Sequence, residues 1–252
     1  MSGHNKWANI KHRKGAQDAK RSKIFTKIIR ELTIAARDGG GDTESNPRLR
    51  VAVEKARGAN MPKDKIETAI KKGTGELEGE ILMENLYEGY GPEGVALIIS
   101  VVTDNKNRAA QELRHILSKH GGSLAESGAV AWNFEKKAII TVSKEEIADA
   151  EEFMMQAIEL GAEDIDESSD PVEITTESDQ MATVRDGLKD LGYSSVKGDL
   201  TYNAKTTVKI SGNPAEKLFK LLDALEDNDD VQNVYGNYEI DDAEMERLAS
   251  MF

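Results

Sequence analysis

AIITVS at 138–143, EEIADAEEFMMQAIEL at 145–160, EDIDE at 163–167, VEITT at 172–176, SDQMATVRDGLKDL at 178–191 and VKGDLTY at 196–202 follow one another with only short breaks. The short β-branched runs predict strands, and the longer runs with helical spacing predict helices. The resulting order, β-α-β-β-α-β, is that of a ferredoxin-like unit. This self-contained stretch sets the reading of everything on either side of it.

Upstream, Glu84 to Tyr90 and Val95 to Val102 read as strands joined by the turn Gly91-Pro92-Glu93-Gly94. A helix is expected from Asn107 to Lys119, ending at His120-Gly121-Gly122, with strands near 123–126 and 129–134. Downstream, Thr207 to Ile210 (strand), Pro214 to Leu225 (helix) and Val231 to Tyr235 (strand) would complete that earlier half-unit. The expected organisation is therefore a discontinuous middle α+β domain, residues 80–135 and 205–252, with a second α+β domain, 136–204, inserted in it. A weak repeat of helix end, acidic stretch and strand, LGAED at 160–164 and LEDNDDV at 225–231, supports this order. Three domains strung end to end is the alternative that the sequence leaves open.

Residues 1–79 read as a basic helical domain. Ile24, Phe25, Ile28, Ile29, Leu32 and Ala36 recur at three- and four-residue spacing and form one face of a helix from Gln17 to Asp38. Lys20, Lys23, Lys27, Arg30 and Arg37 collect on the opposite side, and Gly39-Gly40-Gly41 stops the helix. A second helix begins at Asn46-Pro47, an N-cap followed by proline at the first helical position. A third follows Met61-Pro62 and stops at Gly73. Three short amphipathic helices make a small bundle, and 73–79 reads as a linker. The expected fold class is thus multidomain α and α+β: an N-terminal three-helix bundle plus two ferredoxin-like α+β domains, one inserted in the other.

The chain has 252 residues, 38% of them hydrophobic and 5% aromatic, so it has material for cores but little for a broad stacking platform. The absence of cysteine removes disulfides, thiol catalysis and cysteine-ligated metals together. The longest near-apolar run, Val95 to Val102, is far below the roughly 20 residues of a membrane helix. Nothing at the N-terminus resembles a secretion signal, so a cytoplasmic protein with no membrane partner is expected. The net charge of −13 conceals an asymmetry: residues 1–72 carry 18 Lys and Arg against 8 Asp and Glu, net +10, whereas the rest carries net −23. Such contrast between segments points to a polyanionic partner for the basic one.

No motif for chemistry survives inspection. Gly89 to Gly94 spells GxGxxG, but it precedes a strand and not a helix, so it reads as a hairpin turn rather than a dinucleotide cradle. His115 and His120 are five apart and do not share a helix face. The acidic run Glu226 to Asp230 lacks the glycine and terminal glutamate of a calcium loop. No phosphate-binding loop, HExxH or GxSxG element occurs. The expectation is a non-enzyme with no metal and no cofactor, and a monomer.

The segment SGHNKWANIKHRK at 2–14 stands out instead. Lys6, Lys11, Arg13 and Lys14 can neutralise phosphates, His4, Asn9 and His12 can hydrogen-bond, and Trp7 offers a flat face to a base. A basic tail with Trp7 packed on the bundle is the plainer alternative. Along the first helix Lys20, Lys23, Lys27 and Arg30 extend the basic surface. TDNKNR at 103–108 adds Lys106 and Arg108, in a loop where Asp104 or Asn107 is expected to cap the following helix.

These stretches, with YEGYGPEGVALII, HGGSLAESGAVAW and LLDALEDNDDVQNVY, resemble the YebC/PmpR family of bacterial proteins. The mitochondrial relatives of that family are translational activators of cytochrome oxidase. The departures are small: Asn5 where serine is usual, Gly15 for alanine, Ser22 for glycine and Lys106 for arginine. The resemblance implies three domains, the last inserted in the middle one, and a non-enzymatic regulator of gene expression. Family members are described as probable DNA-binding transcriptional regulators, whereas others relieve stalls on the ribosome. A bacterial cytosolic member is expected, because the motif starts at Gly3.

Two function classes follow. A promoter-binding regulator should present a recognition helix and a dimer matched to paired half-sites, and neither zipper heptads nor an obvious recognition helix is apparent. A factor for structured RNA on the ribosome, contacting ribosomal RNA or tRNA, should place a basic irregular arm in a crowded pocket read by shape and stacking. The first 30 residues, with nine basic side chains and one acidic, fit the second class better. The acidic body would limit non-specific adhesion to RNA.

Overall fold

The structure is a computed structural model, and it describes residues 18–251. Its chain divides into two compact units, one of residues 134–205 and one of the described residues on either side.

The larger unit begins with three helices, α1 (Asp18–Gly39), α2 (Pro47–Gly58) and α3 (Lys63–Thr74). Leu32, Ala35, Ala36, Leu49, Ala52, Val53, Ala56, Met61, Ile66 and Ala69 form their core, with Phe25, Ile28, Ile29 and Ile70 packed against it. The small side chains let the helices approach closely. At Gly73 a Cβ would lie 2.3 Å from the Thr33 carbonyl oxygen, so only glycine permits this crossing of α1 and α3. Asn46 joins two helix ends. Its Oδ1 accepts from the Leu49 amide at 3.0 Å, capping α2, while its Nδ2 donates to the Ala35 and Gly40 carbonyls at 2.7 and 2.8 Å.

The same unit continues with β1 (Met83–Tyr90), β2 (Ala96–Thr103), α4 (Lys106–Lys119) and β3 (Ser123–Leu124). The Gly89–Gly94 stretch is a hairpin turn, as its sequence predicts: Tyr90 pairs with Ala96, and Gly94 adopts φ 74°. All eight residues of β2 are buried. Leu97, Ile99 and Val101 share a core with α4, and Val102 packs with Ile34 of α1 and Leu82. Strand β2 therefore contributes to the α+β core and also to an apolar contact with the bundle.

The smaller unit consists of β4 (Phe134–Val142), α5 (Ala150–Leu160), β5 (Asp164–Asp166), β6 (Val172–Glu177), α6 (Met181–Asp190) and β7 (Lys197–Ala204). Its antiparallel sheet runs β5-β6-β4-β7, the ferredoxin-like order, with Ala138, Ile140, Val142, Phe153, Ala157, Ile174, Val184 and Leu188 buried. Residues 129–134 are not the separate strand expected: Ala131–Asn133 form a 3-10 turn, and Phe134 opens β4. Asn133 binds Thr206 through three hydrogen bonds of 2.7–3.0 Å, tying together the outgoing and returning chain where this unit is inserted.

After the return come β8 (Val208–Lys209), α7 (Gly212–Glu226), β9 (Val231–Gly236), β10 (Tyr238–Glu239) and α8 (Asp242–Met251). The sheet of the larger unit runs β3-β1-β2-β9 and is antiparallel throughout. Residues 207–210 do not join it. β8 pairs in parallel with β10 instead, because β9 already occupies the open edge of β2. Leu218, Leu221, Leu222 and Leu225 of α7, with Met245 and Leu248 of α8, complete the core.

Replacing Asn46 by Ala should destabilise the chain by about 2 kcal/mol, the combined effect of a lost cap and orphaned carbonyls. Asn46→Asp retains the Leu49 cap but sets a carboxylate against two carbonyls, so urea denaturation should show no full rescue.

Candidate nucleic-acid interface

His4, Lys6, Trp7, Asn9, Lys11, His12, Arg13 and Lys14 lie outside the described residues, and so does the Lys20 side chain. The other expected contacts can be placed. Lys23, Lys27, Arg30 and Arg37 repeat at helical spacing on α1 and form one stripe on the side away from the bundle core. That stripe meets the α+β domain of the same unit.

Lys23 Nζ lies 2.9 Å from the Asp227 carboxylate and also donates to the Asp227 carbonyl. Lys27 Nζ donates to the Glu226 carbonyl at 2.7 Å. Arg30 Nη1 reaches Asp230 Oδ1 at 2.5 Å, the Asp229 carbonyl at 2.7 Å and the Val102 carbonyl at 2.9 Å. Arg37 donates to the Leu82 carbonyl. The turn Glu226–Asp230, which reads in sequence only as an acidic run without calcium-loop features, is thus the counter-surface of α1.

Asp230 is the centre of this contact. Its Oδ2 accepts from Thr103 Oγ1 at 2.8 Å and from Arg108 Nη2 at 3.0 Å, while Arg30 holds Oδ1. The Asp230 and Arg30 side chains are only 6% and 15% exposed, so this pair is largely out of water. Burial pushes the Asp230 carboxyl up, but the donors Arg108, Thr103 and Arg30 outweigh it and hold the group below its ordinary value of 3.8. Arg108 also meets Asp104 at 2.6 Å, and these two carboxylates push its guanidinium up. Arg48 of α2 makes a second tie, lying between Glu31 of α1 at 2.9 Å and Glu84 of β1 at 3.0 Å.

The TDNKNR loop differs from expectation in its cap. Neither Asp104 nor Asn107 caps α4. Asn105 does, its Oδ1 accepting from the Asn107 and Arg108 amides at 3.1 Å, while Asp104 pairs with Arg108. Lys106 is exposed at the first position of α4. The structure therefore brings Lys23, Lys27, Arg30 and Arg108 together on one acidic turn. On α3, Lys71 and Lys72 are exposed cations that the sequence reading did not select.

A second element was missed. The buried Glu88 carboxylate accepts from the amides of Gly128 and Val130 at 2.6 Å and of Ala131 at 2.8 Å. Burial alone would raise this group, yet the three amides hold it below its ordinary value. They also hold the loop that carries Trp132, a residue 67% exposed whose indole Nε1 donates to the Ala129 carbonyl. A lone glutamate in a strand has no sequence signature for this role, because its donors lie about 40 residues away. Among the described residues no group of three His, Asp or Glu side chains is placed to hold a metal ion, and no helix is long and apolar enough to cross a membrane.

The fold defines a class of multidomain α+β proteins in which a helical bundle is docked on an interrupted α+β domain. Residues 5–76 match the family described as TACO1/YebC protein N-terminal domain, and residues 82–238 match TACO1/YebC second and third domain. A probable transcriptional regulatory protein of Petrotoga mobilis is 70% identical over 250 residues, 99% of each chain. One of the same description from Thermotoga maritima is 59% identical over 99% of this chain and 98% of its own. The crystal structure of a conserved hypothetical protein from Aquifex aeolicus superposes with TM-score 0.81 at 47% identity, covering 89% of this chain and 93% of that one. The chain belongs to the TACO1/YebC family.

Arg30→Ala should destabilise the larger unit by about 3 kcal/mol, because it leaves the buried Asp230 carboxylate short of a partner. A carboxylate held lower when folded than when unfolded adds stability above its unfolded value and loses it as pH falls through the folded one. The stability difference between the wild type and Asp230→Asn should therefore be full near neutral pH and shrink below pH 3.8. Urea titrations from pH 7 to pH 3 measure it.

Proposed function

We propose that the protein is a non-enzymatic nucleic-acid-binding regulator of gene expression that uses residues 4–14 as a basic arm for structured RNA on the ribosome. The observation that carries this reading is where the cations go. Lys23, Lys27, Arg30 and Arg108 are each bonded to the 226–230 turn, so they serve the fold. In the sequence of the arm, Lys6, Lys11, Arg13 and Lys14 lie within seven positions of Trp7. Cations there would displace counterions from phosphates while the indole stacks on a base. The net −23 of residues 73–252 works against any broader adhesion and favours a short, specific contact.

A second reading, a transcriptional regulator at promoter DNA, is supported by the name of the relatives at 59–70% identity. Its weakness is structural. The α1 face that would enter a groove makes its contacts with the protein's own acidic turn.

Sucrose-gradient sedimentation of a lysate separates the two. The wild type should comigrate with ribosomes, and Lys11→Ala/Arg13→Ala/Lys14→Ala should leave them without any change in thermal midpoint. With single-stranded RNA the same variant should lower the slope of log K against log salt by about 2. Trp7→Ala should weaken binding by about 1–3 kcal/mol. Wild-type protein at the top of the gradient at low salt, combined with tight promoter binding, would reverse the choice.

A further inference from the structure

The inserted unit carries a surface that the arm does not explain. Helix α5 has the sequence AEEFMMQAIEL, with no lysine or arginine. Phe153 and Ala157 face the core, which turns Glu151, Glu152, Met155, Ile158 and Glu159 outward. Met155 and Ile158 are each 61% exposed and three residues apart, so they are neighbours on that face. Leu191, 51% exposed, follows α6. Between the helices runs a groove of about 460 Å³ lined by Gln156, Glu159, Leu160, Gly187, Asp190 and Leu191. The close approach of the helices beneath it depends on Gly187, where a Cβ would lie 2.4 Å from Leu160 Cδ2. Gln156 is fixed on one wall, accepting from the Tyr193 hydroxyl at 3.0 Å and donating to Glu152 at 3.1 Å.

We infer that this face docks a cationic amphipathic protein segment, whose apolar side chains cover Met155, Ile158 and Leu191 while its Lys or Arg residues meet Glu151, Glu152, Glu159 and Asp190. The charge selects the occupant. Residues 134–205 hold 7 basic and 18 acidic side chains, net −11. A nucleic acid or an anionic lipid surface is repelled by such a field, and so is a second copy of the same domain. A purely polar cation leaves the large apolar side chains uncovered, so the partner carries both features. A helix with leucines at three- and four-residue spacing and lysines between them fits both. The inference is independent of what the N-terminal arm binds.

The test uses the full chain with methyl-labelled Met, Ile and Leu, titrated with a synthetic 14-residue Lys/Leu amphipathic helix. Oligolysine and a Glu/Leu peptide of the same length are the comparisons. The Lys/Leu peptide should shift the methyls of Met155, Ile158 and Leu191 and bind at least tenfold tighter than oligolysine. The exposed-site variant Met155→Ser/Ile158→Ser should weaken it at least tenfold with its thermal midpoint unchanged. Equal binding by the variant, equal binding by oligolysine, or shifts that spare these three methyls would overturn the inference. So would a dimer in sedimentation equilibrium that the double variant dissolves, since a second copy would then be the occupant.

Discussion

The carboxylate of Asp230 is the point on which the larger unit is organised. Two helices and a strand end send Arg30, Arg108 and Thr103 to its two oxygens, and its own carbonyl accepts from the Val102 amide. Removing charges from water costs several kcal/mol per ion unless the geometry returns it. Here the return comes from guanidinium and hydroxyl donors within 3.0 Å, together with the apolar contact of Ile34, Leu82 and Val102. Neither side of this contact is satisfied alone: without the acidic turn, α1 would present Lys23, Lys27 and Arg30 in a single uncompensated row. The bundle and the α+β domain are therefore each other's counterion surfaces.

That constraint changes how the charge asymmetry is understood. The basic first third of the chain is partly neutralised inside the fold, and Lys23, Lys27, Arg30 and Arg37 of the α1 stripe are bonded to protein oxygens. Lys71, Lys72 and Lys106 stay exposed, and the arm proposed for RNA lies ahead of the helix at residues 4–14. An arm of the kind proposed would suit a pocket read by shape and stacking better than the major groove of a duplex.

The inserted unit shows the opposite economy of charge. Its core follows the ferredoxin-like pattern, but α5 keeps two large apolar side chains outside among carboxylates. Packing within the unit does not use them. Asn133 and Thr206 close its point of insertion, and the sheet β3-β1-β2-β9 of the larger unit contains none of its strands.

Much of the fold was legible because it rests on short-range physics. Helical spacing from Ile24 to Ala36, the Asn46-Pro47 start, the Gly91–Gly94 turn and the alternation from 138 to 202 each act over a few residues, and these elements formed close to where they were expected, although the helix expected from Glu145 begins at Ala150, where Asp149 caps it. The sequence misjudged features that need a distant partner. β8 pairs with β10 because β9 fills the sheet edge, and Asn105 caps α4 while Asp104 turns to Arg108. The roles of Glu88 and Asp230 depend on donors that no local pattern reveals. By itself, then, the sequence determined most of the elements and their order. Only the tertiary structure decided that the basic face of α1 meets an acidic turn 200 residues away. A helix with one apolar and one cationic face has the same periodicity whether its charges face water, phosphate or carboxylate.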